Sequence, residues 1–78
     1  MIAAKFVVAD KNGGIIMYEK LRDESYRGYT IQFYKLVGRD YVRVTIYRGV
    51  KIISTFGEKN KDIGLKKAIQ IINRMGMR

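Results

Sequence analysis

The stretch YVRVTIYRGVKIISTF, residues 41–56, decides the fold. Val42, Val44 and Ile46 alternate with Tyr41, Arg43, Thr45 and Tyr47. A period of two marks a strand with one apolar and one polar face. Arg48-Gly49-Val50 then reads as a three-residue turn. Past it, Val50, Ile52 and Phe56 rejoin the apolar face, and Lys51, Ile53 and Thr55 fall opposite. A two-residue turn at Arg48-Gly49 would invert that last strand, because a slip of one residue exchanges the faces. The longer turn keeps Lys51 in water.

Upstream, residues 28–36 alternate in the same way, with Tyr29, Ile31 and Phe33 on one side and Thr30, Gln32 and Tyr34 on the other. Val37-Gly38-Arg39-Asp40 is turn-like, and residues 21–27 read as a polar connection. Nearer the start, an apolar segment (residues 2–9) and a second (15–20) flank Asn12-Gly13, a strong signal for a two-residue hairpin turn. That turn places Asp10 opposite Ile15, Val8 opposite Met17 and Phe6 opposite Glu19, with Val7, Ala9, Ile16 and Tyr18 on the other side. Both sides of this ribbon are then partly apolar.

Downstream, Leu65, Ala68, Ile69, Ile72 and Met75 follow one face of a helix. Asp62 is a candidate N-cap, with Asn60 as the alternative, and Gly76 sits where a C-terminal cap belongs. Gly64 lies inside the first turn, at a cost of up to about 1 kcal/mol relative to Ala. Close approach of the helix to the sheet accounts for it. The expected architecture is α+β and one domain, residues 1–78. It comprises an N-terminal hairpin (1–20), a three-stranded antiparallel sheet (28–56) and one C-terminal helix (62–75) packed on one sheet face. The helix stripe covers Ile31, Phe33, Val42, Val44, Ile46, Ile52 and Phe56, leaving the other face open.

Composition narrows the function. The 78 residues contain no Cys and no His. Disulfides and thiolate zinc sites are therefore excluded, and so is the commonest general base. Ser25 and Ser54 have no histidine to activate them, and Asp23-Glu24, the one adjacent acidic pair, lies in a connection. The expectation is a non-enzymatic protein with no cofactor and no metal. The apolar run at the start is too short for a membrane span, and a cytoplasmic location is expected.

Charge is distributed unevenly. Residues 1–25 carry four Lys/Arg and four Asp/Glu, whereas residues 26–78 carry twelve Lys/Arg against Asp40, Glu58 and Asp62, which holds the whole net charge of +9. The same segment holds five of the six tyrosines. Cations interleaved with Tyr suit a polyanion, since aromatic rings stack on bases and Arg or Lys neutralises phosphate. The candidate nucleic-acid-binding residues are Arg27, Gln32, Tyr34, Arg39, Tyr41, Arg43, Tyr47, Arg48 and Lys51. Arg43 and Lys51 are expected as cross-strand neighbours, a like-charge pair that costs stability unless a partner compensates. Lys59, Lys61, Lys66 and Lys67 form a secondary anion patch at the helix start.

From Tyr26 onward the chain resembles two DNA-binding modules, the plant ethylene-response-factor domain and the arm-binding domain of tyrosine recombinases. The residues that carry the likeness are Tyr26-Arg27-Gly28, the strand Tyr41–Tyr47, and Ser54-Thr55-Phe56 before the helix. It covers about 50 of the 78 residues. The resemblance implies a three-stranded sheet backed by a helix and inserted into a DNA major groove, with contacts from Arg27 and, by strand position, Arg43. The chain lacks the tryptophans of the plant domains and adds the hairpin of residues 2–20. Strand order is also similar to that of small archaeal chromatin proteins.

The functional expectation is a small nucleic-acid-binding protein acting through the open sheet face, with DNA favoured over RNA. The alternative is a phage- or plasmid-type inhibitor or adaptor that binds a protein through its basic face or its N-terminal hairpin, which could equally pair two copies of the chain. No membrane partner is expected.

Overall fold

The computed structural model describes residues 14–76 in full and residues 5–9 as backbone. Six strands form one antiparallel sheet: β1 (Lys5–Ala9), β2 (Ile15–Lys20), β3 (Glu24–Tyr26), β4 (Tyr29–Leu36), β5 (Val42–Arg48) and β6 (Lys51–Glu58). The order across the sheet is β1-β2-β4-β5-β6, and β3 pairs beside β4. The helix α1 (Lys61–Gly76) packs on β4, β5 and β6, so the fold is α+β with one helix on one face. Among the described residues, no helix is long and apolar enough to cross a membrane.

Alternation in β4 and β5 sets the core. Ile31 pairs with Ile46 and Phe33 with Val44, and all four side chains are fully buried. Val42, Ala68 and Ile72 complete the cluster. Burying each large aliphatic side chain contributes roughly 1.5–3 kcal/mol, so this layer accounts for much of the fold's stability. Gly64 allows the close approach. A Cβ there would lie 2.7 Å from Val44 Cγ2 and 3.6 Å from the Phe33 ring. The helix phase differs slightly from expectation. Gly64, Ala68 and Ile72 are its buried residues, and Leu65, Ile71 and Met75 pack at the margins of the core, with Ile71 rather than Ile69 in that set.

Asn60, and not Asp62, caps the helix. Its side-chain oxygen accepts from Ile63 N–H at 3.0 Å, and its carbonyl accepts from Gly64 N–H at 3.1 Å. Asp62 instead sits in the first turn, where a carboxylate favours the helix dipole. Gly76 is the last helical residue, and the left-handed glycines among the described residues are Gly28, Gly38 and Gly49.

Three further expectations are corrected. Residues 24–26 form a strand rather than a connection. Arg27 (φ 50°) and Gly28 (φ 81°) adopt the two positive φ values of a type I′ turn, folding Tyr26 back onto Tyr29. Tyr26 Oη then donates to Asn73 Oδ1 (2.9 Å) and Lys61 Nζ to Glu24 Oε2 (3.0 Å), which tie β3 to the helix.

The β5–β6 turn is also different. Arg48 pairs with Lys51 across Gly49-Val50, with Gly49 at φ 61° as a type II′ turn requires. Pairing then shifts between Ile46 and Tyr47, so Ile53 is an extra bulged residue packed against the core while Ile52 faces outward opposite Tyr47. The bulge restores the expected phase beyond it, and Phe56 lies opposite Val44.

Finally, β1 and β2 pair with Ala9 opposite Ile15, which leaves five residues between them rather than a two-residue turn. Val7 is opposite Met17, and Lys5 and Phe6 fall in register with Glu19 and Tyr18. Asn12-Gly13 itself lies outside the described residues.

Candidate nucleic-acid interface

The face of the sheet away from the helix is built by the odd partners of the core alternation. On β4 it carries Thr30, Gln32, Tyr34 and Leu36; on β5 and just before it, Tyr41, Arg43, Thr45 and Tyr47; on β6, Ile52, Thr55 and Gly57. Tyr18 and Lys20 of β2 continue it through their pairing with Leu36 and Tyr34. One row across the strands reads Lys20, Tyr34, Arg43, Gly57, and the next reads Gln32, Thr45, Thr55. Four of the six tyrosines share this face, and none was singled out by anything but strand alternation.

The face has a definite electrostatic character. Among the described strand residues, Glu19, Glu24 and Glu58 all lie on the helix side, since they pair with Lys35, Ile31 and Val42. The open face therefore carries no acidic strand residue. Arg43 is exposed there, and Lys20 is held by Asp23 from the neighbouring connection. Three ion pairs join described residues, Lys20–Asp23, Lys61–Glu24 and Lys67–Glu58, and no arginine takes part in one. Among the described residues, the arginine forks, which match phosphate and base edges best, are thus in no ion pair with a carboxylate.

Two pairs of polar side chains on the face meet across short distances. Tyr34 Oη lies 3.4 Å from Gln32 Oε1, and Thr55 Oγ1 lies 3.5 Å from the nearly buried Thr45 Oγ1. Tyr41 lies against Gly57. A Cβ on Gly57 would come within 2.6 Å of Tyr41 Oη and 2.8 Å of Cζ. Tyr41 keeps 38% of its surface in solvent. The sequence picked out Tyr41 but gave no sign of its seat on Gly57, because strand register is needed to bring residues 41 and 57 together.

The remaining sequence candidates do not all join the face. Arg43 pairs with Gly57 and Lys51 with Arg48, so these two cations sit at opposite ends of the β5–β6 hairpin and are not neighbours. The two-residue turn and bulge are the cause. Arg27, Arg48 and Lys51 gather instead at the end formed by the turns after β3 and β5. Arg27 lies over the Tyr26 ring (5.6 Å to the centroid) and Arg48 over the Tyr29 ring (5.4 Å), with Arg48 Nη1 donating to Tyr29 Oη at 3.3 Å. Arg39 is exposed in the turn at the other end. Of the patch at the helix start, Lys61 and Lys67 are committed to their ion pairs and to the Phe33 and Phe56 rings, while Lys59 and Lys66 are exposed.

No protein-family model, curated protein or solved structure matches the chain.

Proposed function

We propose that this protein binds nucleic acid, DNA in preference to RNA, through the open face of its sheet. The observation that carries the reading is the segregation of acidic residues. Every glutamate of the described strands lies on the helix side, so Tyr18, Tyr34, Tyr41, Tyr47, Gln32 and Arg43 share a face that offers a polyanion no repulsion from strand carboxylates. Arg27, Arg48 and Lys51 at one end and Arg39 at the other extend the positive field beyond the face. Binding is mainly electrostatic, with modest sequence preference. No step of chemistry is involved.

Titration with single-stranded DNA, duplex DNA and RNA at two salt concentrations tests this. The log of the affinity should fall linearly with log salt, by about 0.9 per phosphate neutralised on a duplex and about 0.7 on a single strand. Absence of binding to all three at low salt would remove the proposal.

A second reading, a protein-binding adaptor or inhibitor, has one observation in its favour. The helix packs on β4, β5 and β6, and beyond it Ile15, Met17 and Val37 are 75%, 38% and 45% exposed. They line an open groove with Ile16, Leu36 and Arg39. A specific protein retained by this ribbon, and released by Ile15→Asp or Met17→Asp, would favour it.

A further inference from the structure

We infer that Tyr41, seated on Gly57, is a stacking platform for an unpaired nucleobase, and that the target of the open face is therefore single-stranded. The inference rests on the nucleic-acid reading above and specifies its ligand.

Glycine in the interior of a strand weakens the strand, and it is found where another group must come close to the backbone. Here the close group is the Tyr41 ring. Three of its atoms, Cε1, Cζ and Oη, crowd the position a Gly57 Cβ would take. Any larger residue at 57 would lift the ring off the sheet. The Cε1–Cζ–Oη edge of the ring thus lies at Gly57 of β6, and over a third of the residue's surface is in water. Arg43 stands two residues along the same face, about 7 Å away at the strand repeat, and is the register partner of Gly57. It is exposed and takes part in no ion pair among the described residues. A flat aromatic surface with an unpaired guanidinium beside it matches one nucleotide: the base stacks on the ring, and a flanking phosphate meets the arginine.

The same geometry argues against a duplex. Bases inside a duplex are already stacked and offer only their edges and phosphates to a protein. A solvent-exposed tyrosine ring can stack on a base through its π face, which an unstacked base alone can use. Size agrees. The sheet is five strand positions wide, which at about 4.8 Å per neighbour is roughly 19 Å between outer strands, against a major groove about 12 Å wide. The ribbon β1–β2 supplies the excess, and it is absent from the three-stranded modules that enter that groove.

The chain has no tryptophan, so Tyr41→Trp introduces a single fluorescent reporter at the platform. Its emission should be quenched to saturation by an oligothymidylate single strand at low salt, while a blunt duplex of mixed sequence should bind at least about tenfold more weakly and quench little. In the otherwise unaltered protein, Tyr41→Ala should weaken single-strand binding about 5- to 150-fold, the range for loss of one base–aromatic stack. Gly57→Ala should weaken it comparably although the tyrosine is still present. The double variant Tyr41→Ala/Gly57→Ala removes the clash and should bind no worse than Tyr41→Ala, which separates loss of the platform from loss of the fold. Equal or tighter binding to the duplex, or unchanged single-strand affinity in Tyr41→Ala, would overturn the platform. If Arg43→Glu still abolished binding in that case, the open-face reading would survive. If the parent protein bound neither form, both would fall.

Discussion

The two faces of one sheet have been given opposite tasks by the same alternation. On the helix side, Ile31, Phe33, Val42, Val44 and Ile46 are sealed beneath α1, and the strand glutamates lie around them, where Lys61 and Lys67 pair with Glu24 and Glu58. On the other side, tyrosine, threonine, glutamine and arginine occupy the intervening positions and no strand carboxylate intrudes. Lys61 and Lys67 serve the first face, whereas Arg43 stands on the second outside the ion pairs of the described residues. A compact, strongly hydrated ammonium suits a local ion pair, whereas the planar guanidinium is better used on phosphate and aromatic rings. The contrast teaches that net charge alone says little here. The same +9 chain has cations that hold it together and cations that hold nothing within it.

Substitutions on each face should break that contrast in opposite ways. The largest effect is expected for Ile72→Asp, which puts an unpaired carboxylate among fully buried side chains and should abolish a cooperative thermal melt. Ile69→Asp, at the half-buried flank, should remain folded with a lowered Tm. If the two variants melted alike, the helix phase described above would be wrong.

Gly64→Ala is next. Its new methyl group meets Val44 Cγ2, inside a core that cannot move far, so a loss of about 1–3 kcal/mol in a denaturant titration is expected. A more stable variant would mean that helix propensity, worth up to about 1 kcal/mol in alanine's favour, outweighs the crowding.

Arg43→Glu acts on the other face. It should leave Tm nearly unchanged and cut nucleic-acid affinity at least about tenfold at low salt, a change of about 1.4 kcal/mol. Lys51→Glu, at the far end of the same hairpin, should cost less, because Lys51 lies away from the central row. Equal losses would show that position on the sheet is immaterial and that binding follows net charge alone.

The smallest effect is expected at Arg27. It is the one described non-glycine residue with positive φ, a conformation that asparagine tolerates better in a type I′ turn. Arg27→Asn should raise stability by up to about 1 kcal/mol while weakening binding, since the turn loses its cation. A drop in Tm would show that the Arg27 contact with the Tyr26 ring outweighs the backbone strain.

Alternation made β4, β5, the helix and the choice of core face legible in the sequence, because burial on one side enforces a period of two or of 3.6. What escaped was set by turn geometry and register. Positive φ at Arg27 is unusual for its residue type, so β3 read as a connection. The β5–β6 turn could not be placed because a bulge at Ile53 later cancels its effect, leaving Phe56 where alternation put it and Lys51 where it did not. The N-cap was ambiguous between two side chains of similar capping ability, Asn60 and Asp62. At the candidate site, the tyrosines and Arg43 were visible from strand parity, whereas the seat of Tyr41 on Gly57 depends on a cross-strand register that neither residue announces.

The open face, and not the helix side, is expected to meet nucleic acid. Backbone amide NMR spectra recorded while a single-stranded oligonucleotide is added at low salt test it residue by residue. The largest shifts should fall on Gln32, Tyr34, Tyr41, Arg43, Thr45, Tyr47 and Gly57, with Lys66, Gln70 and Arg74 on the exposed side of the helix little affected. Shifts centred on Lys59, Lys66 and the helix, with the open face unmoved, would contradict it.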